Sequence, residues 1–190
     1  LKSLSKWLNN VDLYDVPYIG LVLWTCIDAS NWSLDIFLLI LIATISRVIP
    51  HPPNFTPITA IALFSVTKLD NKFLATLTPL FCLYLSDIFL GFYTINIFVY
   101  LSFILVSILG CYIGKINLYS ILLSSLLFFI ISNFGVWILG YPKTFEGFFL
   151  CYFNAIPFFG YTILGDLFFS YLIKLVYNYF ERKNYIKLVS

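Results

Sequence analysis

The stretch SRVIPHPPNFTP, residues 46–57, decides how this chain folds, because its proline cluster interrupts a long apolar region. Residues 33–49 are apolar apart from two charges, but a helix cannot continue past them, since proline lacks the N–H donor and clashes with the preceding turn. Thr56-Pro57 then supplies a favourable N-cap and first helical residue. The new helix reaches only to about Leu69, too short to cross a bilayer alone. We therefore predict a broken second helix whose connection dips into the membrane or lines a cavity.

The composition indicates a membrane protein. Hydrophobic residues make up 61% of the 190 residues, charged residues only 11%, and the mean hydropathy is +0.95. A soluble domain carries about 25% charged residues, so this chain could not cover a soluble surface. The net charge of +2, without any basic stripe, argues against a nucleic-acid partner. We predict an all-α integral membrane protein that is surrounded by a lipid bilayer.

The residue types that carry most catalytic and metal chemistry are scarce. The four cysteines are far apart in apolar stretches, and His51 is the only histidine. This pattern gives no indication of a zinc site or a disulfide framework. The sequence also offers no Ser/His pair and no glycine-rich nucleotide-binding loop. We therefore predict no enzyme activity, no cofactor and no bound metal.

Charged and polar turns divide the rest of the chain into apolar segments. They predict a six-transmembrane-helix bundle with a short, broken second helix. Asn154, Pro157 and Gly160 interrupt the last segment, which predicts a short, partly immersed piece before the last helix. After the second helix, the predicted helices are 73–92, 95–114, 118–139 and 157–179, and the immersed piece is 145–155. The predicted organisation is an N-terminal extension (1–31), a membrane domain (32–182) and a basic tail (183–190).

The orientation follows from the basic residues. With a cytoplasmic N-terminus, nine Lys and Arg residues fall inside and only Arg47 and Lys143 fall outside. This asymmetry favours a multi-pass protein of the cell inner (plasma) membrane with both termini in the cytoplasm. Residues 1–31 contain a single apolar run, 16–27, which is too short to span, so we predict an interfacial helix there. A seventh span through 16–27 is the alternative.

Several polar residues fall in the predicted outer half of the bundle, on different helices. Ionisable groups at membrane depth are costly and mark functional sites by default. Arg47, Lys143 and the N-terminus of the second helix suggest a carboxylate or phosphate on the ligand, whereas Trp137 and Tyr141 could stack on a ring. The alternative is that Arg47 pairs with an aspartate and only joins helices. The candidate substrate-binding residues are Arg47, His51, Asn54, Asp87, Asn133, Trp137, Tyr141, Lys143 and Asp166.

Several motifs, in this order, resemble a known family. They are the run 46–57, Leu85-Ser86-Asp87, Asn133-Phe134-Gly135-Val136-Trp137, Tyr141-Pro142-Lys143-Thr144, Ala155-Ile156-Pro157-Phe158-Phe159 and Leu164-Gly165-Asp166. The chain resembles, from about Ile36 to Glu181, a bacterial membrane family of unknown function described as transport proteins. Its size and helix number are also similar to those of the S-components of energy-coupling factor transporters. This second resemblance implies a small, vitamin-like or anionic solute, an energy-coupling membrane subunit and ATPase subunits.

Two functions of different classes remain open on the sequence. The first is a transport protein that captures a small solute from the extracytoplasmic side, with or without coupling subunits. The second is a non-transport membrane assembly or structural protein, whose buried polar residues only bind helices together. A tightly retained small molecule would distinguish the first from the second.

Overall fold

A computed structural model describes residues 34–182, and the side chains of residues 40–179. The predictions for 1–31 (interfacial helix or seventh span) and for the tail 183–190 lie outside these residues. The chain divides into two compact units, Leu1–Leu38 and Leu39–Ser190, and nearly all the described residues belong to the second. In the described part, six α-helices and no strands occur. The helices are α1 (Leu34–Val48), α2 (Ile58–Lys68), α3 (Lys72–Leu90), α4 (Asn96–Ile113), α5 (Leu118–Gly140) and α6 (Phe145–Arg182).

The short helix α2 forms the centre of the bundle. It has 11 residues, and the nine from Ile58 to Val66 are all buried. It packs against α3, α4, α5 and α6. A helix that is apolar on every side is stable only when other elements surround it. The prediction of a short second helix is therefore confirmed, and this helix is the core of the bundle.

Among residues 34–182, four helices are long and apolar enough to cross a membrane: Lys72–Leu90, Asn96–Ile113, Leu118–Gly140 and the Phe145–Tyr179 part of α6. With 15 and 11 residues, α1 and α2 are shorter than the roughly 17–25 residues that a span requires. The all-helical prediction is thus confirmed for the described residues, and the four candidate spans are consistent with a multi-pass membrane protein, whereas six spans stay a prediction.

The turns between the helices are set by local capping. Asn71 accepts hydrogen bonds from the backbone N–H groups of Phe73 and Leu74, which fixes the start of α3. Asn117 and Ser120 form a reciprocal capping box at the start of α5. At the end of α4, Gly114 takes the left-handed conformation with φ +67°, which glycine adopts without cost. These residues explain why helices begin after the polar turns at Asn71 and Asn117 and why α4 ends before Gly114.

Two glycines allow helices to approach closely. A Cβ atom on Gly110 would lie 2.6 Å from Val66 of α2, and a Cβ on Gly135 would lie 2.3 Å from the ring of Phe98 on α4. Small residues at such contacts are typical of helix packing in membranes. Gly110 and Gly114 form a GxxxG pattern in sequence, but only Gly110 is a packing residue, since Gly114 has open space around its Cα.

The predicted division of the last segment is wrong. Residues 145–155 are not a separate immersed piece, because α6 continues through Pro157 for 38 residues. Proline removes only the hydrogen bond to the carbonyl four residues earlier, here that of Phe153. Membrane helices tolerate this loss because neighbouring helices and small local adjustments satisfy the freed carbonyl. Asn154 and Gly160 likewise lie within the helix, on its exposed surface.

Candidate functional site

A charged cluster joins α1, α3 and α4. The guanidinium of Arg47, at the end of α1, lies 3.0 Å from Oδ1 of Asp87 on α3. Arg47 also donates hydrogen bonds to the Ser86 hydroxyl and, at 3.4 Å, to the Leu83 carbonyl. A cation at the C-terminal end of a helix is favoured by the helix dipole as well as by its acidic partner. Arg47 thus pairs with Asp87 and not with Asp166. Such a pair is what we expect if Arg47 only joins helices, the alternative given in the sequence analysis.

The second oxygen of Asp87 is also occupied. Its Oδ2 accepts hydrogen bonds from Asn96 Nδ2 at 2.9 Å and from the Tyr100 hydroxyl at 3.0 Å, both on α4. The Asp87 side chain is only 4% exposed, so these bonds replace the water that the carboxylate loses on burial. Sequence reasoning missed Asn96 and Tyr100. Their signal was the four-residue spacing that places two polar side chains on one face at the start of α4.

Asp166 belongs to a different cluster. Its Oδ2 accepts a hydrogen bond of 2.6 Å from the Ser125 hydroxyl on α5, and Thr59 at the start of α2 is a further hydrogen-bond partner. All three side chains are buried. A carboxylate beside the first turn of α2 also complements the positive end of that helix. Asp166 therefore connects α2, α5 and α6 at the centre of the bundle.

Lys143, Trp137 and Tyr141 close the end of α5. The Lys143 ammonium donates to the carbonyls of Trp137 at 2.9 Å, Tyr141 at 3.0 Å and Ile138, at the end of the helix where the last carbonyls lack some of their intrahelical partners. The Trp137 carbonyl also accepts the Tyr141 N–H at 3.2 Å. It also lies 5.7 Å from the centroid of the Trp137 ring. The Trp137 indole N–H donates to the Pro142 carbonyl at 3.1 Å. These groups find partners within the same turn, so their part in binding a solute stays a prediction.

The remaining candidates lie near the proline-rich connection or on the surface. His51 is exposed, and its Nδ1 lies 2.6 Å from the Ile49 carbonyl. The Tyr141 hydroxyl accepts a bond of 3.4 Å from the Asn154 amide. The structure therefore brings Arg47 and Asp87 together, but it does not join all nine candidate residues in one hydrogen-bonded cluster.

A cavity of about 200 Å³ contains the other two candidates, Asn54 and Asn133. It lies between α4, α5, α6 and the connection that precedes α2. None of the described residues that line it is charged. They are Asn54, Ile95, Val99, Phe128, Phe129, Ser132, Asn133, Val136, Phe158 and Thr162.

Three polar side chains of this cavity keep an oxygen that can accept a hydrogen bond. The Asn133 amide donates to the Phe129 carbonyl at 2.8 Å, which leaves its side-chain oxygen for another partner. The hydroxyls of Ser132 and Thr162 likewise donate to carbonyls of their own helices, at 2.7 and 3.0 Å. Their oxygens keep acceptor capacity. The arrangement suits a small neutral molecule that carries hydrogen-bond donors and an apolar or aromatic body.

The connection before α2 holds Asn54 at the cavity in an uncommon backbone conformation. Asn54 has φ +63°, a left-handed geometry that asparagine tolerates better than most residues. After it, the ring of Phe55 packs on Phe168 and Phe169 of α6, and its Cα would lie 3.0 Å from a Cβ on Gly165. Phe55 thus anchors the end of an otherwise exposed connection against α6. Asn54 lines the cavity, as predicted for this run.

Comparison with known proteins identifies the family. The model of a family of unknown function, DUF6580, matches residues 29–188, and the chain belongs to this family. The resemblance to a family of unknown function is thereby confirmed. No curated protein and no solved structure matches the chain.

Proposed function

We propose that this DUF6580 member is a membrane transport protein that captures a small solute from the extracytoplasmic side, in the manner of an S-component. It would rely on an energy-coupling membrane subunit and on ATPase subunits, since the sequence has no nucleotide-binding loop of its own. The observation that carries the proposal is the cavity at Asn54 and Asn133, a partly open space between helices that offers polar groups beside aromatic side chains.

The chemistry of the lining points to an uncharged solute. The three features that suggested an anion each have a partner within the protein: Arg47 has Asp87, Lys143 has the end of α5, and the start of α2 has Asp166. A charged solute in an uncharged, apolar cavity would lose its hydration without compensation. A neutral solute with N–H or O–H donors would instead meet the free oxygens of Asn133, Ser132 and Thr162.

The proposed setting is a bacterial plasma membrane, with six passes and both termini in the cytoplasm. The distribution of basic residues supports this orientation. Lys68, Lys72 and Lys115 lie at turns on one end of the bundle, whereas Arg47 and Lys143 lie at the opposite helix ends. Reporter fusions after Lys143 and after Ser190 should report opposite sides of the membrane, and the same side for both would contradict the orientation.

A non-transport role in assembly or structure is the second candidate. The observation that favours it is the Arg47–Asp87 cluster, in which both carboxylate oxygens have protein partners and no further ligand is required. If every polar group of the bundle acted in this way, the protein would bind no solute. The cavity is the feature that this second candidate leaves without a role.

Analysis of the small molecules released from the purified protein tests the proposal. We would compare the wild type with Val99→Phe, which fills the cavity, and with Ile108→Phe, a matched change on the exposed face of α4. The proposal expects one neutral compound, identified by mass spectrometry, in wild type and Ile108→Phe and its loss from Val99→Phe. Equal amounts in all three folded samples, or none in any of them, would contradict a solute site in this cavity.

Coupling to other subunits needs a separate measurement. Purification from the native membrane should retain a membrane subunit and nucleotide-hydrolysing subunits, because the chain would otherwise lack an energy source. Retention of the solute without such subunits would favour a carrier that works alone. It would leave the solute site intact and remove only the S-component part of the proposal.

A further inference from the structure

A second cavity, of about 160 Å³, lies at the opposite, basic end of the bundle. It is formed where the turn between α4 and α5 meets α6. Its lining includes Asn117 and Ile121 on one side and Ser170, Tyr171 and Lys174 on the other. The solute proposal makes no use of this cavity, and none of its residues belongs to either cluster described above.

Ser170 is the first indication of a ligand here. Its side chain is 2% exposed, and its hydroxyl has no hydrogen-bond partner among the described residues. A buried hydroxyl nearly always has a partner, because leaving it without one costs free energy. Ser170 is a lining residue of the cavity, and its hydroxyl oxygen is covered in the present rotamer, so a change of the χ1 angle would turn it toward a ligand in that space.

Lys174 is the second indication, because its ammonium has no hydrogen bond, ion pair or ring contact within the described part of the chain. Two other lysines at this end of the bundle do have such contacts. Lys68 lies 4.2 Å from the Tyr177 ring centroid, and Lys72 donates to the carbonyls of Val66 and Leu69 at 3.0 and 2.8 Å. Lys174 instead lines the cavity, one helical turn from Ser170.

We propose that this cavity binds the phosphate of an anionic phospholipid headgroup. The phosphate would place its charge beside Lys174 and accept a hydrogen bond from Ser170. Basic pockets between membrane helices bind such headgroups. Inorganic phosphate shares this chemistry, but the lining also includes the exposed, largely apolar side chains of Leu118 and Tyr171, and these favour a ligand with acyl chains.

The structure supplies matched controls for a test. Ser107 is also a fully buried serine whose hydroxyl has no partner among the described residues, but it lies on α4 and does not line the cavity. Lys115 is an exposed lysine at the same end of the bundle and is not part of the lining. Ser170→Ala is therefore compared with Ser107→Ala, and Lys174→Gln with Lys115→Gln.

The experiment measures binding of phosphatidylglycerol to the full chain by native mass spectrometry, with phosphatidylcholine and inorganic phosphate as the other two probes. We expect saturable binding of phosphatidylglycerol that weakens about tenfold in Ser170→Ala and Lys174→Gln, as for one lost hydrogen bond to a charged group, and stays unchanged in the two controls. Folding of each variant is checked by its melting temperature in detergent. Equal loss in the control variants, equal binding of phosphatidylcholine, or full competition by inorganic phosphate would each overturn the assignment.

Discussion

The Arg47–Asp87 cluster and the Asn54–Asn133 cavity are both polar regions inside an apolar bundle, yet they differ in what their side chains still need. Both oxygens of Asp87 already have partners on α1 and α4. In the cavity, the oxygens of Asn133, Ser132 and Thr162 retain acceptor capacity, and the three residues line the space. Charged groups therefore form the structural cluster here, whereas neutral groups line the cavity that we propose for the solute.

This difference follows from the cost of burying charge. A buried ion must find its counter-charge within the protein, or its lost hydration destabilises the fold. A neutral amide or hydroxyl costs much less free energy to bury, so the fold tolerates one that has no further partner until a ligand binds. The strongest polar signals in the sequence of a membrane protein therefore need not mark its binding site.

The largest expected effect is at Asp87. Asp87→Ala leaves Arg47 without its partner and should lower the free energy of unfolding by about 3 kcal/mol, the low end of the range for a broken buried pair, because the Arg47 side chain is 19% exposed. The double variant Arg47→Met/Asp87→Leu should recover most of this loss, since it removes both charges. Denaturation in detergent measures both. If Asp87→Ala were as stable as the wild type, the Arg47–Asp87 cluster would not be a structural region.

The buried serines of α5 provide the next test. Ser125→Ala removes a hydrogen bond to the carboxylate of Asp166, and we expect a loss of about 1.5–3 kcal/mol. The neighbouring Ser124 is equally buried, but its hydroxyl has no partner among the described residues, so Ser124→Ala should cost nothing. Both variants are measured in the same denaturation assay. If Ser125→Ala and Ser124→Ala lowered the free energy of unfolding equally, the Asp166 cluster would not stabilise the contact between α5 and α6.

Gly135 tests the packing beside the cavity. A Cβ there would overlap the ring of Phe98, so Gly135→Ala should destabilise the protein by about 1–2 kcal/mol. Gly160 has open space around it, and Gly160→Ala should be neutral or slightly stabilising because alanine is the better helix former. Melting temperatures of the two variants give the comparison. A neutral Gly135→Ala would show that α4 and α5 separate without cost.

The smallest effect on stability is expected at Asn133. Asn133→Leu removes one amide that bonds only to a carbonyl of its own helix, so the free energy of unfolding should change by less than about 1 kcal/mol. Retention of the solute should nevertheless fall sharply. Asn154→Leu, on the exposed surface of α6, is the control and should retain the solute. A large loss of stability with unchanged retention would make Asn133 a structural residue like Asp87.

The sequence predicted the features that depend on local chemistry. The short second helix follows from the proline cluster, and the polar turns at Asn71 and Asn117 follow from capping. The predicted cap of the second helix is wrong: the helix begins at Ile58 after Pro57, and no side chain caps it, so the Thr56 hydroxyl does not have that role. The continuity of α6 through Pro157 could not be predicted in this way. A membrane helix continues through a proline when contacts with other helices compensate for the lost hydrogen bond, and the sequence of one segment does not reveal those contacts.

The candidate site was predicted only in part, for a similar reason. Arg47 with Asp87, and Asn54 with Asn133, could be selected as polar residues at membrane depth. Their division into two regions depends on which helices are neighbours. Asn96 and Tyr100 resemble ordinary residues of an aromatic-rich segment until α4 places them beside Asp87. The sequence therefore located polar groups, and the fold determined which of them remain available.

An experimental density map of the wild-type protein, purified from its native membrane, tests the central claim most directly. The account predicts density for a small molecule in contact with Asn54 and Asn133, and a direct contact between Arg47 and Asp87. The same map of Val99→Phe should lack the first feature and keep the second. An empty cavity together with a molecule bound between Arg47 and Asp87 would contradict the account.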